Sequence, residues 1–195
     1  MKELVFLLEE ESAKAMLESL LPRILHRSIR HRLIAFEGKQ DLERQLVKRL
    51  RNYSNRQARF IVLRDQDSAP DCRAVKTKLI QLCRQAGKTD STLVRIACKE
   101  LETCYLADLK AVEQALGVSK LAEKQNIAKF RHPDRLGSPS KELANLTAGA
   151  YQKVSGSRAI GAFLDPANTR SASFGNLIDG IRRMENQLLD FPSEQ

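Results

Sequence analysis

FIVLRDQDSAP, residues 60–70, is the stretch from which the architecture of the whole chain can be worked out. Its apolar half is typical of a buried strand, and the run stops at Asp65 and Asp67, two aspartates with one residue between them. Two interpretations of this pair are open. In the first, the carboxylates bind a metal ion at the end of the strand. In the second, they are turn residues, and Asp67 or Ser68 caps the helix that follows.

Short apolar runs alternate with amphipathic helical segments through the first half of the chain. Strands are predicted at residues 3–9, 32–37, 59–64 and 92–98. Helices are predicted at residues 12–26, 40–51, 70–86 and 100–116, with Pro70 in a first turn and Asp108 as a cap for residues 109–116. This alternation predicts right-handed βαβ units, and therefore an α/β protein with a mostly parallel sheet of about four strands and helices on both faces.

The pattern changes beyond Gly117. A polar segment over residues 117–141 leads into helical stretches at 140–164 and 174–189, and no further strand is predicted. We therefore expect an α/β core over residues 1–116 and a helical C-terminal extension over residues 117–195 that packs on the core.

The composition favours a polyanionic partner. A chain of 195 residues with a formal charge of +9 suits nucleic acid or an anionic membrane surface. The alternative is that the basic residues form solvated helix faces. No apolar run approaches the ~18 residues that a membrane span needs, so no spanning segment is predicted. The four cysteines lack paired CxxC spacing, and the acidic start of the chain does not resemble a secretory signal. Both features predict a cytoplasmic protein.

Two clusters of basic residues are candidates for contact with a nucleic-acid backbone. The first contains Arg27, Arg30 and Arg32, and the second contains Arg49 and Arg51. The first cluster is equally suited to an acidic patch on a partner protein. Aromatic residues make up only 5% of the chain, which does not favour base stacking on a single-strand platform.

Three of the four predicted strands end in acidic residues. Glu9 and Glu10 are at the end of the first, Glu37 of the second, and the aspartate pair of the third. Because ligands of open parallel sheets bind beyond the carboxyl ends of the strands, we expect these acids to line one edge. Residues two apart in an extended segment point to the same side, so both aspartates would face one cation. Carboxylate oxygens of this kind suit Mg²⁺ or Mn²⁺.

The end of the fourth strand adds further candidates. If the chain is still extended at Glu100 and Glu102, both carboxylates face the cleft and support a second metal ion. If a helix has already begun, the two side chains diverge and only one contributes. Lys99 and Lys141 are candidates for the positive charge that phosphodiester hydrolysis needs near the scissile phosphate.

A glutamate after the first strand and a DxD after the third resemble the layout of the Toprim fold of topoisomerases, primases and overcoming-lysogenization-defect nucleases. Glu9 with the residues that follow it looks like the Glu-Gly-x-[ST/D] turn of that fold, although Glu10 stands in place of the glycine. Both glutamates therefore stay candidates for the family acid. Glu37 in EGKQD is also similar to the signature, but only one helix separates it from Asp65, so we rank it as secondary.

Four longer stretches resemble a narrower family, a Toprim-like group of unknown function that is often paired with an ATPase in bacterial abortive-infection systems. They are LLEEESAKAMLESLLP at 7–22, EGKQDL at 37–42, RIACKELETCYLAD at 95–108 and HPDRLGSPSKEL at 132–143. The resemblance implies a Toprim-like Rossmannoid fold and a metal-dependent nuclease acting on DNA or RNA, the effector of an ATPase-coupled anti-phage defence system. It also implies a separate ABC- or SMC-type ATPase subunit, and it is compatible with a homo-oligomer.

These arguments together predict a Mg²⁺- or Mn²⁺-dependent endonuclease. The expected catalytic residues are Glu9, Asp65, Asp67 and Lys99, and the expected metal ligands are Glu9, Asp65, Asp67 and Glu100. Secondary candidates are Glu10, Glu37, Glu102 and Lys141. The alternative is a non-catalytic subunit or regulator that keeps the Toprim shape and binds a partner.

Overall fold

Four parallel strands form a single sheet. The computed structural model of the chain describes residues 1–191, and every structural statement below refers to those residues. The strands are β1 (Glu3–Leu8), β2 (Arg30–Ala35), β3 (Arg59–Asp65) and β4 (Thr92–Ala97). Their order in the sheet is β2-β1-β3-β4, so β2 and β4 are the edge strands. The predicted α/β class and the parallel sheet of four strands are confirmed.

Helices connect the strands and continue beyond the sheet. They are α1 (Glu11–Ile24), α2 (Lys39–Arg51), α3 (Cys72–Gln85), α4 (Glu102–Leu106), α5 (Leu109–Leu116), α6 (Pro139–Leu146), α7 (Lys153–Gly161) and α8 (Ala172–Leu189). Within residues 1–191, none of them combines the length and the apolar character that a membrane crossing requires.

Successive residues of β1 enter two different cores, because strand side chains alternate between the faces of the sheet. Leu4, Phe6 and Leu8 belong to the core formed with α1, α5, α7 and α8. Val5 and Leu7 belong to the core formed with α2 and α3. Since helices cover both faces, the strand is a continuous apolar run and not an alternating one.

Two predicted helices are divided in the structure, and a third begins after its predicted first turn. The segment predicted as one helix over residues 100–116 is divided into α4 and α5, and the Asp108 side chain accepts a hydrogen bond from the Ala111 N–H at 3.1 Å. The predicted cap at Asp108 is therefore confirmed. The stretch at 140–164 is divided into α6 and α7 by a turn at Gly149, whose φ is +80°. Helix α3 begins at Cys72, so Pro70 precedes the helix and does not occupy its first turn.

The helices that follow α5 pack on the sheet side that carries α1. Ile160 of α7 and Ile181 of α8 lie in the same core as Met16 of α1 and Leu63 of β3. The division of the chain between residues 116 and 117 stays a prediction. Residues 192–195 of the predicted extension lie outside the described residues.

We expect Gly161→Ala to destabilise the protein, because α7 approaches α1 too closely for a side chain. A Cβ at this position would lie 2.4 Å from the Met16 carbonyl oxygen. Displacing a packed backbone typically costs about 1–3 kcal/mol, which a lower free energy of unfolding in urea would record.

Gly175→Ala is the matched control, since this glycine is also helical but has no atom within 4 Å of an added Cβ. Alanine should leave the stability unchanged there or raise it by up to about 1 kcal/mol. Equal effects of the two substitutions would contradict the close packing of α1 on α7.

Candidate active site

The Glu9 side chain faces β3 across the edge of the sheet. Glu9 follows β1 directly, and its Oε2 accepts a hydrogen bond from the Asp65 N–H at 3.0 Å. Its backbone is held on both sides, since its N–H donates to the Leu63 carbonyl at 3.2 Å and its carbonyl accepts from the Gly38 N–H at 2.9 Å. The structure therefore brings the acid that follows β1 to the DQD segment, residues 65–67, whose first residue ends β3.

Asp65 lies among three other carboxylates. Burial raises the pKa of Asp65 well above its usual value, and the charges of Glu9, Glu102 and Glu10 raise it further, while the Leu101 N–H opposes the shift. Burial is also the main cause of the raised pKa of Glu9 and of Glu102. Negative charge is thus concentrated at the carboxyl ends of β1 and β3 and at the start of α4.

Two cations stand beside this group of carboxylates. The Arg64 Nε lies 3.8 Å from the Glu9 Oε2, which is longer than a hydrogen bond, and the same guanidinium pairs with Glu43 of α2. This Nε is buried and has no hydrogen-bond partner among the described residues. On the other side, the Lys153 Nζ lies 2.7 Å from the Glu10 carboxylate.

Asp67 does not continue the strand. Its φ is +54°, so the chain has left the extended conformation, and its N–H donates to the Lys99 carbonyl at 2.7 Å. The Asp67 carboxylate pairs with the Lys39 Nζ at 3.1 Å. The expectation that both aspartates point to one side is therefore wrong, because it assumed an extended chain through residue 67. Electrostatic contact persists, since the Asp67 charge contributes to the raised pKa of Glu9.

The capping interpretation of the DQD segment is also wrong. The N-cap of α3 is Asp71, whose side chain accepts a hydrogen bond from the Arg73 N–H at 2.8 Å. Neither Asp67 nor Ser68 caps that helix, but both lie in a turn that is closed by the hydrogen bond from the Ala69 N–H to the Gln66 carbonyl at 3.2 Å. The turn part of that interpretation is therefore confirmed.

Asp67 and Lys99 face each other in left-handed backbone conformations that are unusual for residues with side chains. Their φ values are +54° and +60°, and such conformations typically cost about 1–3 kcal/mol each. Conformations of this kind cluster at functional sites. The two residues line an open cleft of about 360 Å³, together with Lys39, Ser68, Glu100 and Gly137.

Glu100 lies in a bend before α4, and Glu102 is the first residue of that helix, so the chain is neither extended nor yet helical at Glu100. The two carboxylates have different partners. The Glu100 carboxylate accepts a hydrogen bond from the Ser140 N–H at 2.7 Å, near the start of α6. Glu102 is buried, and its carboxylate accepts from the Tyr151 hydroxyl at 2.9 Å. The charge of Glu102 contributes to the raised pKa of Asp65, although Glu102 was predicted only as a secondary candidate.

The remaining predicted residues make no contact with Glu9, Asp65 or Asp67 among the hydrogen bonds and ion pairs of the described residues. Glu37 is exposed, and the contact with Asp67 comes from its neighbour Lys39. Lys141 is exposed on α6. The predicted basic residues are exposed on the segment before β2, on β2 itself and on the C-terminal part of α2; they are Arg27, Arg30, Arg32, Arg49 and Arg51.

Four residues of the site were not predicted. Arg64 directly precedes the DQD segment, and Lys39 lies inside EGKQDL, so local sequence signals existed for both. Tyr151 and Lys153 reach the site from the segment before α7 and from its first turn. No local pattern marks them, because only the packing of α7 on α1 brings them close.

The chemistry of the donors fits a hard divalent cation. Carboxylates that raise one another's pKa are relieved by a nearby cation, and oxygen donors are the ligands that Mg²⁺ and Mn²⁺ prefer. In the described part of the chain, however, no three His, Cys, Asp or Glu side chains are arranged around a common point. Binding would therefore require side chains to turn, above all Asp67, which pairs with Lys39.

One solved structure supports the fold assignment. The C-terminal region of the Burkholderia pseudomallei OLD protein is similar to this chain with a TM-score of 0.53 and 15% sequence identity, over 93% of this chain and 98% of that one. At this identity the likeness shows the fold alone, and it agrees with the predicted Toprim-like arrangement. A search of curated proteins gives no match.

A family model also matches most of the chain. Its description is "Domain of unknown function (DUF4276)", and the match covers residues 8–182. This range begins just before Glu9 and ends within α8, so it includes every residue of the site described above. The chain therefore belongs to the DUF4276 family of domains of unknown function.

Proposed function

We propose that the protein is a metal-dependent nuclease that hydrolyses phosphodiester bonds of DNA or RNA. The observation that carries the proposal is the contact between the Glu9 carboxylate and the Asp65 N–H at 3.0 Å. It joins the acidic ends of two neighbouring parallel strands, at the edge where α/β sheets bind their ligands. The similarity to the OLD C-terminal region is consistent with this proposal through the fold.

Glu9, Asp65 and Asp67 would hold Mg²⁺ or Mn²⁺, and Glu100 is a candidate for a further ligand. A bound divalent cation polarises a phosphate and lowers the pKa of a water molecule. Glu102 and Glu10 add negative charge around Asp65, which strengthens the attraction for a cation. Since Glu102 is held by Tyr151, the segment before α7 fixes part of this charge in place.

The protein's own cations have a separate part in the proposed reaction. Lys39 and Lys99 line the cleft beside Asp67, where a phosphate group would find positive charge. Such charge stabilises the additional negative charge of a phosphoryl transition state. The raised pKa of Glu9 makes this carboxylate a better proton acceptor than an ordinary glutamate, so it is either a metal ligand or the general base.

The remaining parts of the proposal rest on the sequence resemblance. They are the role in a defence system, the separate ABC- or SMC-type ATPase subunit, the cytoplasmic location and the homo-oligomer. Each of them stays a prediction.

A non-catalytic partner-binding subunit is the second candidate. It is favoured by the partners that two of the predicted ligands already have, Lys39 for Asp67 and the Ser140 N–H for Glu100. Titration of Mn²⁺ into the wild type and into an Asp65→Asn, Asp67→Asn double variant separates the two candidates. The nuclease requires specific binding that the double variant loses, and the non-catalytic subunit requires none.

We expect the purified full-length chain to cleave DNA or RNA with Mg²⁺ or Mn²⁺ and not in EDTA. Asp65→Asn and Asp67→Asn should each lower the cleavage rate by about 100-fold or more, since each removes a charged group from the site of charge development. Gel assays with supercoiled DNA and with transfer RNA measure both rates.

Asp71→Asn is the matched control for this assay. It changes an aspartate of the same connection, but the residue is exposed and asparagine still caps α3. Its rate should equal that of the wild type. Unchanged cleavage by the Asp65→Asn, Asp67→Asn double variant, or equal cleavage in EDTA, would contradict the proposal.

The clustered carboxylates predict a pH-dependent effect of Asp65→Asn on stability. The raised pKa of Asp65 means that the folded state binds its proton more tightly than the unfolded state. Its favourable contribution is complete below about pH 4 and is lost as the pH rises through the folded pKa. In EDTA, Asp65→Asn should therefore raise the free energy of unfolding at neutral pH, and the gain should shrink toward pH 4.

Urea denaturation of the wild type and the variant across this pH range measures the difference. Asp71→Asn again serves as the control, because this residue lies outside the group of carboxylates that acts on Asp65. A loss of stability at neutral pH in the Asp65→Asn variant would show that its charge is well compensated in the fold.

A further inference from the structure

A groove of about 450 Å³ lies between the edge strand β2 and the C-terminal part of α2. Three cations line it, Arg32 from β2 and the neighbouring Lys48 and Arg49 from α2. No carboxylate is among the residues that line the groove. Its volume lies within the range of small-molecule sites.

The three cations form no ion pair with a residue of the described chain, because the acids of α2 have other partners. Asp41 pairs with Arg44, and Glu43 pairs with Arg64 and Lys78. The Arg49 Nε donates instead to the amide oxygen of Gln45 at 3.3 Å, which leaves its charge uncompensated.

Two carboxylates act on the wall of the groove. Asp41 accepts hydrogen bonds from the Gln45 side-chain amide at 2.8 Å, but its charge is already paired with Arg44. The other carboxylate is that of Glu3. It contributes to the raised pKa of the Tyr53 hydroxyl, after burial, while Arg32 opposes this shift. The Glu3 carboxylate accepts a hydrogen bond from the Asn55 side-chain amide at 3.1 Å. Since Asp41 is paired with Arg44, Glu3 is the remaining carboxylate that opposes the three cations, and the excess positive charge favours an anion.

The remaining lining suits a flat ring attached to that anion. Ile34, Tyr53 and Phe60 contribute the apolar part of the lining, here called the apolar floor, and Asn52 contributes a side-chain amide. The amide of Gln45 is occupied by Asp41 and Arg49. Arginine forks and a lysine are the preferred partners of phosphate groups. Side-chain amides match the hydrogen-bonding edges of nucleic-acid bases.

We propose that this groove binds a nucleotide, with the phosphate between Lys48, Arg49 and Arg32 and the base on the apolar floor. The same chemistry is presented by a free nucleotide and by one unit of a nucleic-acid strand. Arg32 and Arg49 belong to different basic clusters of the sequence, and the fold brings them to one groove.

The groove is separate from the candidate active site. Helix α2 begins beside Glu9, since the Gly38 N–H donates to the Glu9 carbonyl at 2.9 Å. Lys48 follows Lys39 by nine residues, which places it about 14 Å further along the helix axis. The inference therefore does not depend on the proposed nuclease activity.

Binding to the full chain in EDTA tests the proposal, because chelation keeps the metal-dependent site out of the measurement. The probes are AMP, a fluorescein-labelled single-stranded DNA dodecamer and inorganic phosphate, followed by calorimetry or fluorescence anisotropy. We expect AMP, the dodecamer or both to bind, and Lys48→Gln with Arg49→Gln to weaken that binding by about 10-fold or more.

A second double variant, Lys124→Gln with Arg182→Gln, removes the same formal charge from exposed positions of the segment after α5 and of α8. It should change the affinity by less than about 2-fold, since distant surface charges are screened. Binding of AMP identifies a free nucleotide as a sufficient ligand, and binding of the dodecamer alone identifies a strand.

Three results would overturn the proposal. The first is that neither AMP nor the dodecamer binds the wild type. The second is an equal loss of affinity in the two double variants, which would show a response to net charge alone. The third is that inorganic phosphate binds as tightly as AMP, which would show that contacts with the apolar floor add nothing to the affinity.

Discussion

The parallel pairing of β1 with β3 is the constraint on which the rest of the structure depends. The register places Leu8 beside Leu63, so Glu9, which follows β1, and Asp65, the last residue of β3, meet at one edge of the sheet. The hydrogen bond from the Asp65 N–H to the Glu9 carboxylate follows from this register. Two carboxylates that lie far apart in the chain are thereby held close together, at a place where the fold buries part of their surface.

Holding these carboxylates close together is energetically unfavourable, and the pKa values of the surrounding groups show this. Burial and mutual repulsion raise the pKa of Asp65, of Glu9 and of Glu102, while Arg64 and Lys153 supply only part of the opposing charge. A fold without a use for the charge would tend to pair it or replace it with apolar groups. The left-handed backbone at Asp67 adds a second local cost at the same edge.

The order of strands and helices was predictable because each apolar run and helical face is a local pattern, and the contact of Glu9 with the DQD segment followed from the parallel topology. The direction of the Asp67 side chain was not predictable from the sequence, because it depends on a turn that leaves the strand at residue 66. The choice between Glu100 and Glu102 depended on the residue at which α4 begins. The positions of Tyr151 and Lys153 at the site depend on how α7 packs on α1, and no local sequence pattern predicts that packing.

A crystal structure of the full chain soaked with Mn²⁺ tests the central claim most directly. The account predicts an anomalous density peak within about 2.0–2.4 Å of carboxylate oxygens of Glu9 and of Asp65 or Asp67. The Asp67 carboxylate should then have left Lys39. An absence of anomalous density at this edge, with Asp67 still paired to Lys39 at high Mn²⁺ concentration, would contradict the assignment of a metal-dependent site.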